Sequence, residues 1–175
     1  GGSFEQLSGL LDADTITITD SGTLTFTGGD IQAVSITNAG LFKGAGTLYT
    51  DTFINSGRLA PDNSSGTLNI DGDYVQSATG ILEIELGESS FDVLSITGTA
   101  TLEGILNSSL LDGYMPTSGL SVAFLTASEG IFGKFDIISG LDTLIWNVLY
   151  QDLIGNDGII DTAVLTVSSP VPVPS

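Results

Sequence analysis

The stretch that decides the fold runs from Ser56 to Leu86 and reads SGRLAPDNSSGTLNIDGDYVQSATGILEIEL. It contains, in order, a Gly-Arg-Leu turn, a polar bend, a Gly-x-Tyr-x-Gln element and a strand in which apolar and acidic residues alternate. Alternation with a period of two places one face of a strand in a core and the other face in water. Turns and short strands in this order predict one coil of a parallel β-helix.

Glycine-led turns recur at the spacing of one such coil. The turns begin at Ser21, Ala39, Ser56 and Thr79, at spacings of 18, 17 and 23 residues. This spacing is typical of a solenoid and is longer than that of a hairpin meander. Asn38 and Asn55 each precede one of these turns. Asn tolerates left-handed backbone angles and can stack on its counterpart one coil away, so both residues are predicted at coil corners.

Short alternating strands are predicted throughout, and no segment carries a sustained helical period with caps. The predicted strands are Thr15–Thr19, Thr23–Thr27, Ala33–Thr37, Gly66–Ile70, Ile81–Leu86, Val93–Thr97, Ala100–Leu110, Leu120–Ala127, Thr143–Tyr150 and Ala163–Ser168. A β-sandwich would also give many short strands, but the coil-length repeat favours the solenoid. We predict an all-β fold, a right-handed parallel β-helix of about five coils with a C-terminal β cap.

Three segments are expected along the chain. Residues 1–112 form the β-helix coils, and residues 113–168 form C-terminal strands that continue and cap the solenoid. The only tryptophan, Trp146, lies in this second segment, where apolar side chains can close the end of a repeat protein. Residues 169–175 contain three prolines and cannot join a central strand, so they are expected to form an extended tail.

The composition narrows the function classes. The formal net charge is −18, and the basic residues are Lys43, Arg58 and Lys134. Such a surface repels phosphate backbones and anionic lipid headgroups, so nucleic-acid and membrane-surface binding are not expected. No apolar run is long enough to span a bilayer. The chain has no Cys and no His, which excludes disulfides and histidine-based catalysis.

The segment Ser56–Leu110 resembles the autotransporter-associated β-strand repeat of bacterial surface and secreted proteins. The residues that match its pattern are Gly57, Leu59, Pro61, Ser64, Gly66, Leu68, Ile70, Gly72, Tyr74, Gln76, Gly80, Leu82, Ile84 and Leu86. Phe91–Leu102 looks like a later part of the same pattern, whereas Asp62 stands where the family usually has Gly. The resemblance implies an extracellular β-helix, and it does not imply any enzymatic activity.

The C-terminal tail is similar to the Val-Pro-Glu-Pro sorting motif of bacterial exported proteins. Val171–Ser175 departs from that motif at Val173, and the membrane helix and basic cluster that follow it in the family are absent. The likeness implies either an exported protein whose anchor has been removed or a tail that is simply rich in Pro and Val.

No catalytic set is predicted. The turn at Ser64 lacks the first Gly of a nucleophile elbow and has no His to act as a base. Glu83 and Glu85 face outward on one strand and could in principle serve as a hydrolytic carboxylate pair. The Arg, Lys and His residues that would hold a sugar are nearly absent, so we expect a solvated acidic face and no enzyme.

Calcium is the one candidate cofactor. Asp71 and Asp73 flank a glycine, and Asp152, Asn156, Asp157 and Asp161 lie in a glycine-containing loop. Carboxylate and amide oxygens are the ligands that calcium prefers. Neither group follows a known calcium-loop spacing, so ordinary acidic turns are the alternative interpretation.

A short solenoid has two ends with unpaired strand edges, and such edges can pair with another chain. The predicted function follows from these two ends. We expect a structural protein that self-assembles head to tail into a filament, sheath or matrix component. The candidate contact residues are Phe4, Leu7, Leu10, Leu11, Trp146 and Tyr150. The alternative is an adhesin or passenger module that binds glycan or a host surface. Exposed aromatic residues along the flank would favour adhesion, and apolar residues at the ends would favour assembly.

Overall fold

The computed structural model of the chain describes residues 1–61, 65–141 and 145–168, and these residues form seventeen strands and no helix. The first sheet, sheet A, contains β1 (Ser3–Gln6), β3 (Thr23–Phe26), β5 (Leu41–Gly44), β7 (Arg58–Ala60), β9 (Ile81–Leu86), β12 (Ile105–Leu110) and β15 (Ile137–Ser139). Sheet B contains β2 (Leu10–Ile18), β4 (Asp30–Asn38), β6 (Gly46–Asn55), β8 (Thr67–Gln76), β10 (Val93–Ile96), β11 (Thr99–Leu102), β13 (Ser121–Ala127), β14 (Gly130–Gly133), β16 (Ile145–Gln151) and β17 (Thr162–Ser168).

Successive coils stack in parallel, which confirms the predicted β-solenoid of about five turns. Each coil supplies one strand to sheet A and then a longer, bent stretch to sheet B. The bend is clearest in β8, where residues 67–70 pair with β10 and residues 74–75 pair with β11. The coil therefore has three sides: sheet A and the two arms of sheet B.

Inward-facing side chains form columns that run through the molecule. One column in sheet A, called here the core column, contains Phe4, Leu24, Phe42, Leu59, Leu82, Leu106 and Ile138. Its five middle members are at most 4% exposed, because each is covered by a residue of the coil above and of the coil below. This stacking turns a period-two sequence into a continuous apolar core.

A polar ladder runs beside the apolar columns at one corner of the coils. Asn38 Nδ2 donates to Asn55 Oδ1 at 2.9 Å, and the Tyr74 hydroxyl donates to Gln76 Oε1 at 2.7 Å. Gln76 Nε2 donates to the carbonyl of Glu103 at 2.9 Å. The predicted stacking of Asn38 on Asn55 is thus confirmed, and the buried amides satisfy backbone groups of the turns.

The prediction of one strand over Ala100–Leu110 is wrong. The structure divides it into β11 and β12, which lie in different sheets. Gly104 separates them with φ of 70°, a left-handed conformation that turns the chain from one side of the coil to the next.

The C-terminal end carries the predicted β cap. There β17 pairs antiparallel with β13, and β16 pairs antiparallel with β17. Residues of the cap, including Val148 and Leu165, are buried against the core. The predicted tail, residues 169–175, lies outside the described residues.

Candidate assembly surface at the N-terminal end

The N-terminal end of the solenoid is formed by the outer edges of β1 and β2. The register with the second coil shows that Phe4, Leu11, Ala13, Ile16 and Ile18 face inward, because their partners in the second coil do so. Phe4 ends the core column, yet 48% of its surface is exposed, against 4% for Leu24 directly behind it. Core side chains are therefore open to solvent at this end.

Four of these five inward residues line an open cavity of about 470 Å³. Its walls include Phe4, Leu11, Ile16 and Ile18, and Leu24 of the second coil lies behind them. We call the opening lined by Phe4, Leu11, Ile16 and Ile18 the apolar mouth. Burial of apolar surface contributes a free energy of about 25 cal/mol per Å², so the apolar mouth favours contact with another surface.

The backbone edge of the first coil is also open. In later coils the outward-facing residues donate their amides to the preceding coil, as Thr23 does to the Gly2 carbonyl (3.0 Å) and Asp30 does to the Gly9 carbonyl (2.8 Å). The corresponding amides of the first coil point away from the molecule. No strand of the described chain lies beyond β1 and β2, and an open edge of this kind is a template for pairing.

The six predicted assembly residues divide between the two ends. Phe4, Leu7 and Leu10 are exposed at the N-terminal end, and Leu11 is half-buried in the mouth of the cavity. Trp146 and Tyr150 are half-buried within the cap and pack against the core. The Phe135 amide donates to the Tyr150 hydroxyl at 3.0 Å, and burial raises the pKa of that hydroxyl.

Other apolar residues of the C-terminal end are more exposed than Trp146 and Tyr150. Ile138 ends the core column at this side and is 38% exposed. Further exposed apolar residues of this end are Phe132, Ile137, Ile145, Leu149, Leu153, Ile154, Ile159 and Ile160. The exposure of each of these side chains could not be predicted from the sequence, because it depends on which strand is last in each sheet.

The first pair of candidate calcium ligands takes part in coil stacking. The Thr97 hydroxyl donates to Asp71 Oδ1 at 2.8 Å, and the Thr99 amide donates to Asp73 Oδ1 at 2.7 Å. Both carboxylates therefore bind groups of the next coil.

The second group of candidate ligands organises its own loop. The Gly158 amide donates to Asp152 Oδ2 at 2.7 Å, and the Ile159 amide donates to Asp157 Oδ1 at 3.0 Å. Asn156 adopts a left-handed φ of 51° in the same loop. Among residues 1–61, 65–141 and 145–168, no three His, Cys, Asp or Glu side chains are grouped to hold a metal ion. Calcium binding stays a prediction.

Asp161 is the buried member of this loop. Burial opposes its ionisation, but hydrogen bonds from the Thr162 hydroxyl and from the Leu153 and Ile154 amides outweigh that effect and lower its pKa. The carboxylate thus fixes the loop that precedes β17.

The outward-facing glutamates lie on a shallow groove of sheet A. Arg58 pairs with Glu83, with Nη2 and Oε1 2.6 Å apart. Lys43, Ala60 and Glu85 also line this groove. The ion pair joins two adjacent coils, and as an exposed pair it contributes little to stability.

No family model matches the chain, and no curated protein matches it. The described residues include no helix that is long and apolar enough to cross a membrane.

Proposed function

We propose that this chain is a non-enzymatic extracellular structural protein of a bacterium that associates end to end and contributes to a fibre, sheath or matrix. The observation that carries the proposal is the open mouth at the N-terminal end, where Phe4 of the core column is half exposed. The bacterial and extracellular parts of the proposal come from the resemblance of Ser56–Leu110 to the autotransporter-associated repeat.

The distribution of exposed apolar residues favours assembly over adhesion. Most of the large ones lie at the two ends, whereas the flank carries fewer of them, such as Val34, Tyr49 and Ile54. Large contiguous apolar surfaces are typical of protein–protein contacts, and single exposed residues are common on any protein. Head-to-tail stacking, which the sequence predicts, stays a prediction.

The test is the association state of the 175-residue chain over a range of concentrations, measured by sedimentation velocity and by electron microscopy. We expect concentration-dependent dimers or longer rods. Phe4→Asp should weaken the association at least tenfold, because it places a charge on an apolar contact. Ile54→Asp adds the same charge on the flank of the third coil and should leave association within about twofold of the unsubstituted chain.

A chain that stays monomeric at every concentration would contradict the proposal. The adhesin or passenger-module hypothesis, with glycan or a host surface as partner, would then be the better account, and glycan-array binding would test it. Equal effects of Phe4→Asp and Ile54→Asp would show that charge alone, and not the open mouth, controls association.

A further inference from the structure

We propose that two copies of this chain meet head to head, pairing the edges of β1 and β2 in antiparallel direction about a two-fold axis. This inference rests on the proposed function, because it names the partner and the orientation at the same surface. A two-fold contact closes on itself, so in a fibre, sheath or matrix it would supply one joint and contacts between C-terminal ends would supply the next. The inference depends on which side chains of the first coil face inward and which face outward. Two-fold contacts between identical surfaces are the commonest form of self-association in soluble proteins.

Turning one N-terminal end to face another reverses the strand direction, so the edges can pair only in antiparallel fashion. Residues directly opposite in an antiparallel pair point their side chains to the same face of the sheet. A shift of one residue would send every core side chain to the wrong face. The edge of β2 must therefore match its own reversed copy, inward residue against inward residue.

The strand β2 meets this condition. It has two arms, residues 10–13 and residues 15–18, and Leu11 and Ala13 face inward in the first arm while Ile16 and Ile18 face inward in the second. Reversal about the Asp14–Thr15 bond places Leu11 opposite Ile18 of the other copy. The same reversal places Ala13 opposite Ile16. All four inward side chains then face the joint core.

The outward residues of β2 match equally well. The same reversal places Asp12 opposite Thr17 and Asp14 opposite Thr15, so that each acid meets a hydroxyl and not another acid. Like charges directly opposite destabilise a strand pair. In later coils the outward residues are the ones whose amides point toward the preceding coil. These pairs therefore carry the N–H and C=O groups that can close an antiparallel ladder.

The strand β1 can share the same axis. Reversal about Phe4 places the two Phe4 rings against each other and puts Ser3 opposite Glu5. Phe4 lies near the middle of the sheet A side, and the Asp14–Thr15 bond lies at the opposite corner of the same coil. One two-fold axis through these two points therefore serves both strands. Offset or edge-to-face contact between the rings would add to the burial of the mouth.

The C-terminal end is a poorer complement for the same surface. Beyond β13, sheet B continues with β17 and β16, whereas sheet A continues beyond β12 with β15 alone. Beyond β14 the described chain adds no strand. The three sides of the C-terminal end therefore extend to different heights. The first coil of another copy would contact the side that extends furthest and leave gaps at the other two sides. The N-terminal end, by contrast, offers all three sides of one coil.

Site-specific crosslinking tests the orientation, and the absence of native cysteine makes single-cysteine variants unambiguous. Thr15→Cys lies next to the proposed axis, Gln151→Cys lies on the edge of the cap, and Thr101→Cys lies on the flank as a control. All three positions are exposed, so the fold should tolerate them. With a short bismaleimide, we expect Thr15→Cys to crosslink to itself more than tenfold faster than Thr101→Cys.

Mixed samples separate the failure of the inference from the failure of the proposed function. In one sample, isotope-labelled Thr15→Cys is mixed with Gln151→Cys. A head-to-tail stack would give crosslinks mainly between positions 15 and 151. That result would overturn the two-fold contact and leave end-to-end association standing. A sedimenting dimer without crosslinks above the control would also overturn the orientation. A strictly monomeric chain with no crosslinks above the control would overturn both.

Discussion

At the scale of single residues, Asp161 shows how one carboxylate holds the cap in place. Its oxygens accept hydrogen bonds from Leu153, Ile154 and Thr162, which join the two ends of the loop before β17. The same loop reaches the edge of β14, where the Ile131 amide donates to the Ile160 carbonyl. Closure of the C-terminal end therefore depends on the ionised form of this side chain.

Asp161→Asn should lower the free energy of unfolding at pH 7, because the amide cannot accept the same set of hydrogen bonds. The folded pKa of Asp161 lies below its unfolded value of about 3.9. Its stabilising contribution is therefore complete above about pH 3.9 and is lost as the pH falls through the folded pKa. Urea unfolding from pH 7 downward should show the difference between the unsubstituted chain and Asp161→Asn shrinking in that window.

The control for this series is Asp157→Asn, an exposed carboxylate of the same loop. Its effect should be smaller, because Asp157 accepts a single hydrogen bond at the surface, from the Ile159 amide, and the Oδ1 atom of Asn can still accept that bond. A constant difference between Asp161→Asn and the unsubstituted chain down to the lowest pH would mean that the variant acts through packing and not through ionisation.

At the scale of elements, glycine fixes the bend between the two arms of sheet B in the fourth coil. In β8 the bend lies at Gly72, whose φ is 145°, and an added Cβ would overlap the Thr50 carbonyl of the previous coil. Residues other than glycine rarely adopt such a φ. The bend is therefore fixed both by conformation and by the close approach of two backbones.

Gly72→Ala should destabilise the protein by about 2–5 kcal/mol, combining backbone strain of about 1–2 kcal/mol with overpacking of about 1–3 kcal/mol. The matched control is Gly9→Ala, which also has a positive φ, 79°, but has no atom within 4 Å of an added Cβ. The control should cost only the strain, about 1–2 kcal/mol. If Gly72→Ala and Gly9→Ala lost the same free energy of unfolding in urea, the contact with the Thr50 carbonyl would not contribute to the cost.

Individual strands and their inward faces could be predicted from the sequence, because alternation alone carries that information. In Ile81–Leu86 the alternation correctly predicts that Leu82, Ile84 and Leu86 face inward, and all three are buried. Alternation is the same in parallel and antiparallel strands. The reversed direction of β17 therefore could not be predicted, since it depends on antiparallel pairing with β13, about 40 residues earlier in the chain.

The candidate site was predicted only in part for the same reason. Phe4 and Leu11 could be selected as apolar residues near the start of the chain. Ile16 and Ile18 are indistinguishable in sequence from buried strand residues, and only the stacking order leaves them at an open mouth. The one usable signal was the change of phase at Asp14–Thr15, where the inward positions pass from odd to even numbers.

At the scale of the whole molecule, charge opposes the association that the open end favours. Two copies that each carry a formal charge of −18 repel one another at pH 7. Glu5, Asp12 and Asp14 are exposed at the N-terminal end and add local repulsion there. Apolar burial and backbone pairing act over a few ångströms, whereas the repulsion extends over a Debye length.

Raising the salt concentration should therefore strengthen association. Between about 10 mM and about 150 mM NaCl the Debye length falls from about 30 Å to about 8 Å, while contacts within the apolar mouth change little. We expect the dissociation constant from sedimentation velocity to fall by roughly tenfold, which corresponds to about 1.4 kcal/mol. Phe4→Asp serves as the control, since its weaker association should respond to salt in the same direction. Weaker association at higher salt would point instead to attraction between unlike charges. The acids of the N-terminal end could then lie against Lys134 near the C-terminal end of the next copy. Such a result would favour the head-to-tail arrangement over the two-fold one.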